Sequence, residues 1–94
     1  MSSDSLLQTT FDKAVQMASS DEGSKWNMSK DQKLTLYSCY KQVNVGDCTG
    51  ERPGMFNMVA RQKFDAWKAV SGMGKEQAMK KYIDVVANFA PELK

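Results

Sequence analysis

The chain has 94 residues, of which 41% are hydrophobic and 26% charged, with a net charge of +2. That balance fits a single globular domain over 1–94 and is too weakly basic to argue for nucleic acid as a partner. Histidine is absent, which excludes Ser-His-Asp and Cys-His catalysis and His-based zinc sites. The two cysteines, Cys39 and Cys48, stand in neither CxxC nor CxxH spacing, so no metal site is expected and free thiols in a reducing cytosol are.

Met1-Ser2-Ser3-Asp4 offers neither a basic segment nor an apolar run, and Ser2 excludes N-myristoylation, so no leader and no lipid anchor are expected. No apolar stretch approaches the ~20 residues of a membrane span, so no stable membrane insertion is expected. Leu7, Phe11, Ala14, Val15 and Ala18 then recur at helical spacing, with Asp4 or Ser5 as N-cap. The small and polar run SSDEGSKWNM breaks that period and reads as a loop around Gly23, with Trp26 inside it unexplained.

Ser29 opens the second helix with Gln32 three residues on, a capping-box pattern. Leu36, Cys39 and Val43 form its apolar stripe; Leu34, Tyr37, Tyr40 and Lys41 lie on the adjoining face, and Gly46 suits the left-handed position that ends it. The connection DCTGERPGMFN is long for a bundle, about a dozen residues, which marks it as functional or as a rigid crossover. Within it Pro53-Gly54 has the chemistry of a type II turn, and Arg52 before the proline should be extended.

The third helix starts near Asn57 with Val59, Ala60, Phe64, Trp67 and Val70 as its stripe, and Lys63 falls inside that stripe. SGMG ends it. The fourth runs from Lys75 to Ala90, burying Ala78, Met79, Tyr82, Ile83, Val86 and Phe89, with Pro91 beyond its end. The methionines read as flexible core filler, and Lys80-Lys81 as solvated surface. The whole is all-α, a four-helix chain.

Taken singly, Lys63 reads as a lysine whose stem lies on the core and whose head reaches water. Tyr37 and Tyr82 read as amphipathic rings at the core edge. Together, Tyr37, Tyr40, Lys41, Lys63 and Tyr82 point elsewhere. Two ammoniums with phenolic donors make a phosphate site, and aromatic faces beside it can stack a base. A nucleotide-bearing ligand fits this set better than a bare phosphate.

The stretch YSCYKQVNVGDCTGERPGMFNMVARQKFDAW resembles the signature of the acyl-CoA-binding protein family, Y-x-x-Y-K-Q-A-T-x-G-D followed by R-P-G-M and K-W-x-A-W. The matching residues are Tyr37, Tyr40, Lys41, Gln42, Gly46, Asp47, Arg52, Pro53, Gly54, Met55, Lys63, Asp65, Ala66 and Trp67. FDKA at 11–14 resembles the family's first helix and KEQAMKKYI at 75–83 its last, so the likeness spans nearly the whole chain. It implies an up-down-down-up bundle that carries long-chain fatty acyl-CoA, without catalysis of its own and without a cofactor. In the family the residues matching Tyr37, Lys41 and Lys63 bind the ribose 3′-phosphate. Those matching Tyr40 and Tyr82 enclose the adenine and its ribose, and the acyl chain lies along those resembling Phe11, Val15 and Leu34.

The resemblance further implies a cytoplasmic monomer that hands its ligand to acyl-CoA-consuming enzymes. The alternative is a helical protein-interaction module of the same fold with ligand binding lost; the retained Lys41, Lys63 and three tyrosines speak against it. Departures from the pattern bear on chain length rather than ligand class. Ser19 and Ser20 stand where the family has a helix-1 lysine, for which Lys25 is the candidate replacement. The first loop is longer and holds Trp26, Phe64 replaces a tryptophan, Val43-Asn44 replaces Ala-Thr, and Lys33 and Gln62 make the groove more polar.

Overall fold

The computed structural model describes residues 3–93. Met1 and Ser2, on which the expectations about leader and anchor rest, lie outside the described residues, as does Lys94. Five α-helices follow in order: α1 (Ser3–Ser19), α2 (Asp21–Ser24), α3 (Lys30–Asn44), α4 (Met58–Ala69) and α5 (Lys75–Ala87), then a 3-10 turn at Pro91–Leu93. Among the described residues there is no strand. The four expected helices are α1, α3, α4 and α5.

Several boundaries differ from expectation for identifiable reasons. Asp4 and Ser5 fall inside α1 rather than at its cap. The expected loop contains α2, a single turn whose N-cap Ser20 accepts from the Gly23 N–H at 3.2 Å, with Asp21 and Glu22 facing the positive end of the helix dipole. The residues that read as a loop are the same types that cap and start a helix. Gly23 is needed there: a Cβ would press on the Met17 carbonyl oxygen and lie 2.6 Å from that of Ala18.

At the other end α5 stops at Ala87, short of Ala90. The residue before a proline disfavours the α region, and the Asn88 and Phe89 amides already bond three residues back, to Val85 and Val86. This tighter turn brings Phe89 onto Trp26, rings 5.6 Å apart and 15° from parallel, which gives Trp26 its partner.

The direction of the helices follows from side-chain pairs. Lys63 of α4 sits against Tyr37 of α3, and Lys41 of α3 against Trp67 of α4. Each partner advances one turn in the same direction, so α3 and α4 are parallel. Gln42, near the end of α3, donates to the carbonyl of Met73, just before α5, which makes α5 antiparallel to both. Phe11 of α1 meets Tyr82 of α5 mid-helix, and the segments after both helices meet at Trp26–Phe89. The order is therefore up-down-down-up.

Parallel neighbours need a crossover, and residues 45–57 supply it. Gly46 turns out of α3 at φ +101. Its carbonyl accepts from the Trp67 indole N–H at 2.8 Å. Asp47 takes the Gln42 amide at 2.7 Å and the Gly72 N–H at 2.8 Å on one carboxylate oxygen, tying α3 to the turn before α5. Arg52 grips Asp65 with both Nε (2.9 Å) and Nη2 (2.7 Å). The turn in this segment is not the expected type II at Pro53-Gly54. Gly54 lies outside the left-handed region, and its carbonyl accepts from Asn57 N–H at 2.9 Å, so Met55 and Phe56 form the corner.

The core gathers Phe11, Leu36, Cys39, Met79, Tyr82 and Val86 around α5, on which both α1 and α3 rest. Val59, expected on the buried stripe of α4, is 64% exposed: α4 packs principally on α3, and one neighbouring helix cannot cover the whole stripe. Of the methionines, Met79 is buried and Met17, Met28 and Met73 pack on the core, as filler should. Met55 and Met58 are exposed instead, beside the fully exposed Phe56.

Two opposite pH effects on stability follow. Hydrogen bonds from Gly72 and Gln42 hold Asp47 below the ordinary carboxylate range, and the Arg52 guanidinium does the same to Asp65. A lowered folded pKa gives stability that is present above about pH 4 and lost as pH falls through the folded value. The urea midpoint is therefore expected to drop below about pH 4, and Asp47→Asn should flatten that drop; matching acid slopes in both proteins would count against it. Burial, then Tyr40 and Cys39, push the Tyr82 phenol up to about 12. A raised folded pKa gives stability complete below about pH 10 and lost as pH rises through the folded value. Tyr82→Phe keeps the ring and should soften the alkaline loss of helical circular dichroism.

Candidate ligand-binding site

The site is built on the face of α3. Its start is fixed by a full capping box: Gln32 N–H donates to the Ser29 hydroxyl at 3.0 Å and Ser29 N–H to the Gln32 side-chain oxygen at 2.9 Å. From there Lys33, Tyr37 and Lys41 follow at successive turns, with Leu36 and Tyr40 beside them.

Because α3 and α4 are parallel, both lysines meet an aromatic ring. Lys63 Nζ lies 5.3 Å from the centre of the Tyr37 ring, and Lys41 Nζ lies 4.8 Å from that of Trp67. Among the described residues neither ammonium has a carboxylate within ion-pair distance. The rings fix where two positive charges stand while leaving their N–H donors for an anion. Trp67 is itself immobilised by its bond to Gly46 and is buried. Lys63 thus lies on the exposed side of α4 with its head on a ring.

The tyrosines meet on the other flank of α3. Tyr37, Tyr40 and Tyr82 line one cleft of about 270 Å³ with Val15, Ser19 and Leu36, between α1 and α3 and over α5. Tyr37 is the link, since its ring also carries Lys63. Tyr40 is 43% exposed and presents a free face, whereas Tyr82 is 5% exposed and set edge-on against Phe11 at 5.1 Å. The five polar residues thus lie on two flanks of α3 that Tyr37 joins.

The three apolar groove candidates are not gathered in the same way. Val15 lines the tyrosine cleft, and Phe11 is core beneath Tyr82. Leu34 borders a separate cleft of about 300 Å³ between α3 and α4, with Ala66, Ala69 and Val70. Ser19 stands in the tyrosine cleft where a lysine was looked for, and Lys25, exposed after α2, borders neither it nor the neighbouring cavity. That neighbouring cavity, about 330 Å³, lies under α2 and is lined by Ala18, Trp26, Met28, Lys33 and Leu36.

Trp67, whose ring carries Lys41, joins the candidate site although its apolar stripe concealed it. Its spacing from Lys63, one turn along α4, was the available sign. The Cys39 thiol is buried, which pushes its pKa up and leaves it inert. Among the described residues no group of three or more His, Cys, Asp or Glu side chains is placed to hold a metal ion, and no helix is long and apolar enough to cross a membrane.

Known proteins match this chain along most of its length. The family model "Acyl CoA binding protein" matches residues 8–86. The Caenorhabditis elegans protein "Acyl-CoA-binding protein homolog 3" is 38% identical over 92 residues, 93% of this chain and 79% of that protein. The Ricinus communis "Acyl-CoA-binding protein" is 50% identical over 66 residues, 70% of this chain and 73% of its own. The crystal structure of Oryza sativa Acyl-CoA-Binding Protein 2 superposes with a TM-score of 0.77 at 43% identity, covering 92% of each chain. By sequence and by fold alike, the chain belongs to the acyl-CoA-binding protein family.

Proposed function

We propose that the chain binds long-chain fatty acyl-CoA thioesters and serves as a cytoplasmic carrier and pool former in lipid metabolism. It acts as one domain over 1–94, as a monomer, and passes its ligand to acyl-CoA-consuming enzymes. It is a binding protein rather than an enzyme. The observation that carries the reading is the placement of Lys41 and Lys63 on aromatic rings beside a cleft of three tyrosines.

In this reading Lys41, Lys63 and the Tyr37 hydroxyl take the ribose 3′-phosphate. Its charge calls for paired cations and donors, and charge-assisted hydrogen bonds are the strong ones. Tyr40 offers an open face for the adenine, and Tyr82 closes the floor beneath it. The acyl chain follows the apolar wall of the cleft, which includes Val15 above Phe11, with Leu34 on the far flank of α3. Each methylene taken from water contributes about 0.8 kcal/mol.

Head and tail are thus recognised by different physics, and the ligand that carries both is favoured over either part. Calorimetry should show palmitoyl-CoA bound far more tightly than free CoA or palmitate; equal affinities for palmitoyl-CoA and CoA would sink the carrier reading. The lysines are tested by a cycle of two proteins and two ligands. Lys63→Ala should weaken palmitoyl-CoA by about ten- to a hundredfold, the value of one charge-assisted hydrogen bond. The loss should shrink against palmitoyl-dephospho-CoA, which lacks the 3′-phosphate. An equal loss for both ligands would return Lys63 to the role of a surface lysine.

A further inference from the structure

The crossover from α3 to α4 carries an apolar corner that neither the core nor the binding site uses. Met55 is 66% exposed, Phe56 99%, Met58 62% and Val59 64%. They line neither the tyrosine cleft, nor the cavity under α2, nor the cleft beside Leu34. The exposure does not come from a loose loop. Asn57 N–H closes the corner on the Gly54 carbonyl at 2.9 Å, and the Asn57 carbonyl accepts from the Arg61 N–H at 3.0 Å. The Arg52 fork on Asp65 ties the approach to the body of α4. A corner that is ordered in advance gives up little freedom when it docks.

Shape, area and charge together choose the occupant. Phe56 stands at the tip of a turn with no groove around it, a convex form that a deformable medium accepts without a matching pocket. An aromatic side chain offers about 150–250 Å², so the four residues together expose on the order of 500 Å², short of the ~800 Å² per partner of a standard protein interface. Arg61 follows Met58 by three residues and Lys63 follows Val59 by four, so each cation shares a helix face with an apolar residue and stands about 5.4 Å behind it. Lys63 meets Tyr37 across the parallel helices, so one turn back the exposed Lys33 falls level with Val59. The carboxylates at this end are Asp31, Glu51 and Asp65, and Asp65 is engaged by Arg52. An apolar tip with cations one turn behind it matches the layering of a bilayer surface. There apolar side chains reach ~5–10 Å into the headgroup and acyl boundary, and Lys and Arg stay with the anionic headgroups.

We infer that Met55, Phe56, Met58 and Val59 form a tip that docks the protein reversibly on the surface of an anionic lipid bilayer. The contact is peripheral, since among the described residues no helix is long and apolar enough to cross a membrane. It goes beyond ligand binding and does not depend on it.

The test is flotation of the full chain, without acyl-CoA, on vesicles of three parts phosphatidylcholine to one part phosphatidylserine. Wild type should float with these vesicles, and less with phosphatidylcholine alone. Phe56→Ser should weaken vesicle binding about tenfold or more, the value of burying one such side chain. Its helical circular dichroism and its affinity for palmitoyl-CoA in solution should match wild type, because the ring is 99% exposed. Leu6→Ser changes another exposed apolar residue, 56% exposed at the opposite end of the bundle, and should float as wild type does. Phe56→Trp reports insertion: brominated phosphatidylcholine should quench it beyond any loss seen in wild type, which already carries Trp26 and Trp67. Wild type that fails to float, Phe56→Ser that floats as well as wild type, or no added quenching in Phe56→Trp overturns the proposal and leaves acyl-CoA binding in place. So does a dimer in sedimentation that Phe56→Ser abolishes, which would give the tip to a second copy of the chain. A loss of palmitoyl-CoA affinity in Phe56→Ser equal to its loss of flotation overturns it as well, by making the tip part of the ligand site.

Discussion

The parallel run of α3 and α4 is the constraint from which the site follows. Were the two helices antiparallel, Tyr37 and Lys41 would meet α4 residues in the reverse order, and Lys63 and Trp67 would not fall opposite them. Parallel neighbours cannot be joined by a tight turn, so the chain spends residues 45–57 on a crossover. Three attachments hold that crossover: the Trp67 indole to Gly46, the Arg52 fork on Asp65, and Asp47 between Gln42 and Gly72. The Arg52–Asp65 pair is about half exposed on both sides, and exposed pairs contribute only ~0–1 kcal/mol. The buried end of the Trp67 bond and the nearly buried Gln42 therefore carry more of the register than the ion pair does.

The tyrosine cleft has a separate origin. α1 and α3 both rest on α5 and pack only slightly on each other. Two cylinders laid on a third leave a furrow between them, and here α5 supplies its floor through Tyr82. The furrow stays open because the residues that face across it, Val15, Ser19 and Leu36, are of modest size, while the larger Phe11 is turned down into the core. A separate cavity under α2, lined by Trp26, lies beside it. The fold thus makes a polar flank from α3 with α4, and a mixed aromatic and apolar trough from α3 with α1. Tyr37 belongs to both.

Much of this was legible in the sequence wherever the signal is local. The Ser29 capping box, the left-handed Gly46 and the start of α4 at Asn57 each depend on a few adjacent residues, and each stands where expected. The spacing of Tyr37, Tyr40 and Lys41 likewise marks one side of a helix before any partner is known. What could not be read was settled by distant contacts. α2 looked like a loop because capping residues and loop residues are the same types, and only the end of α1 explains why Gly23 is a glycine. Trp26 had no meaning until Phe89 came round to meet it, and that required α5 to stop early. Val59 fits a helical stripe, yet it is left 64% exposed where α4 has one principal neighbour. The helix directions were implied by family resemblance and not by periodicity, since an apolar stripe has no sense of up or down.

The two lysines are held on rings without being neutralised. An ammonium over a partly exposed ring gains about 0.5–1 kcal/mol, whereas a hydrogen bond between charged groups is worth about 1.5–3 kcal/mol. An anion brought between Lys41 and Lys63 outcompetes the rings for the N–H donors, or shares them, since a ring face leaves donors free. Had either lysine been paired with a carboxylate, that pair would have to be broken first, and the anion would gain only the difference. The rings do something a carboxylate would not. They restrict two long, flexible side chains, each of which otherwise gives up as much as ~2 kcal/mol of rotamer freedom on being fixed, without neutralising their charge. Weak contacts that localise a cation are better suited to a binding site than strong contacts that satisfy it.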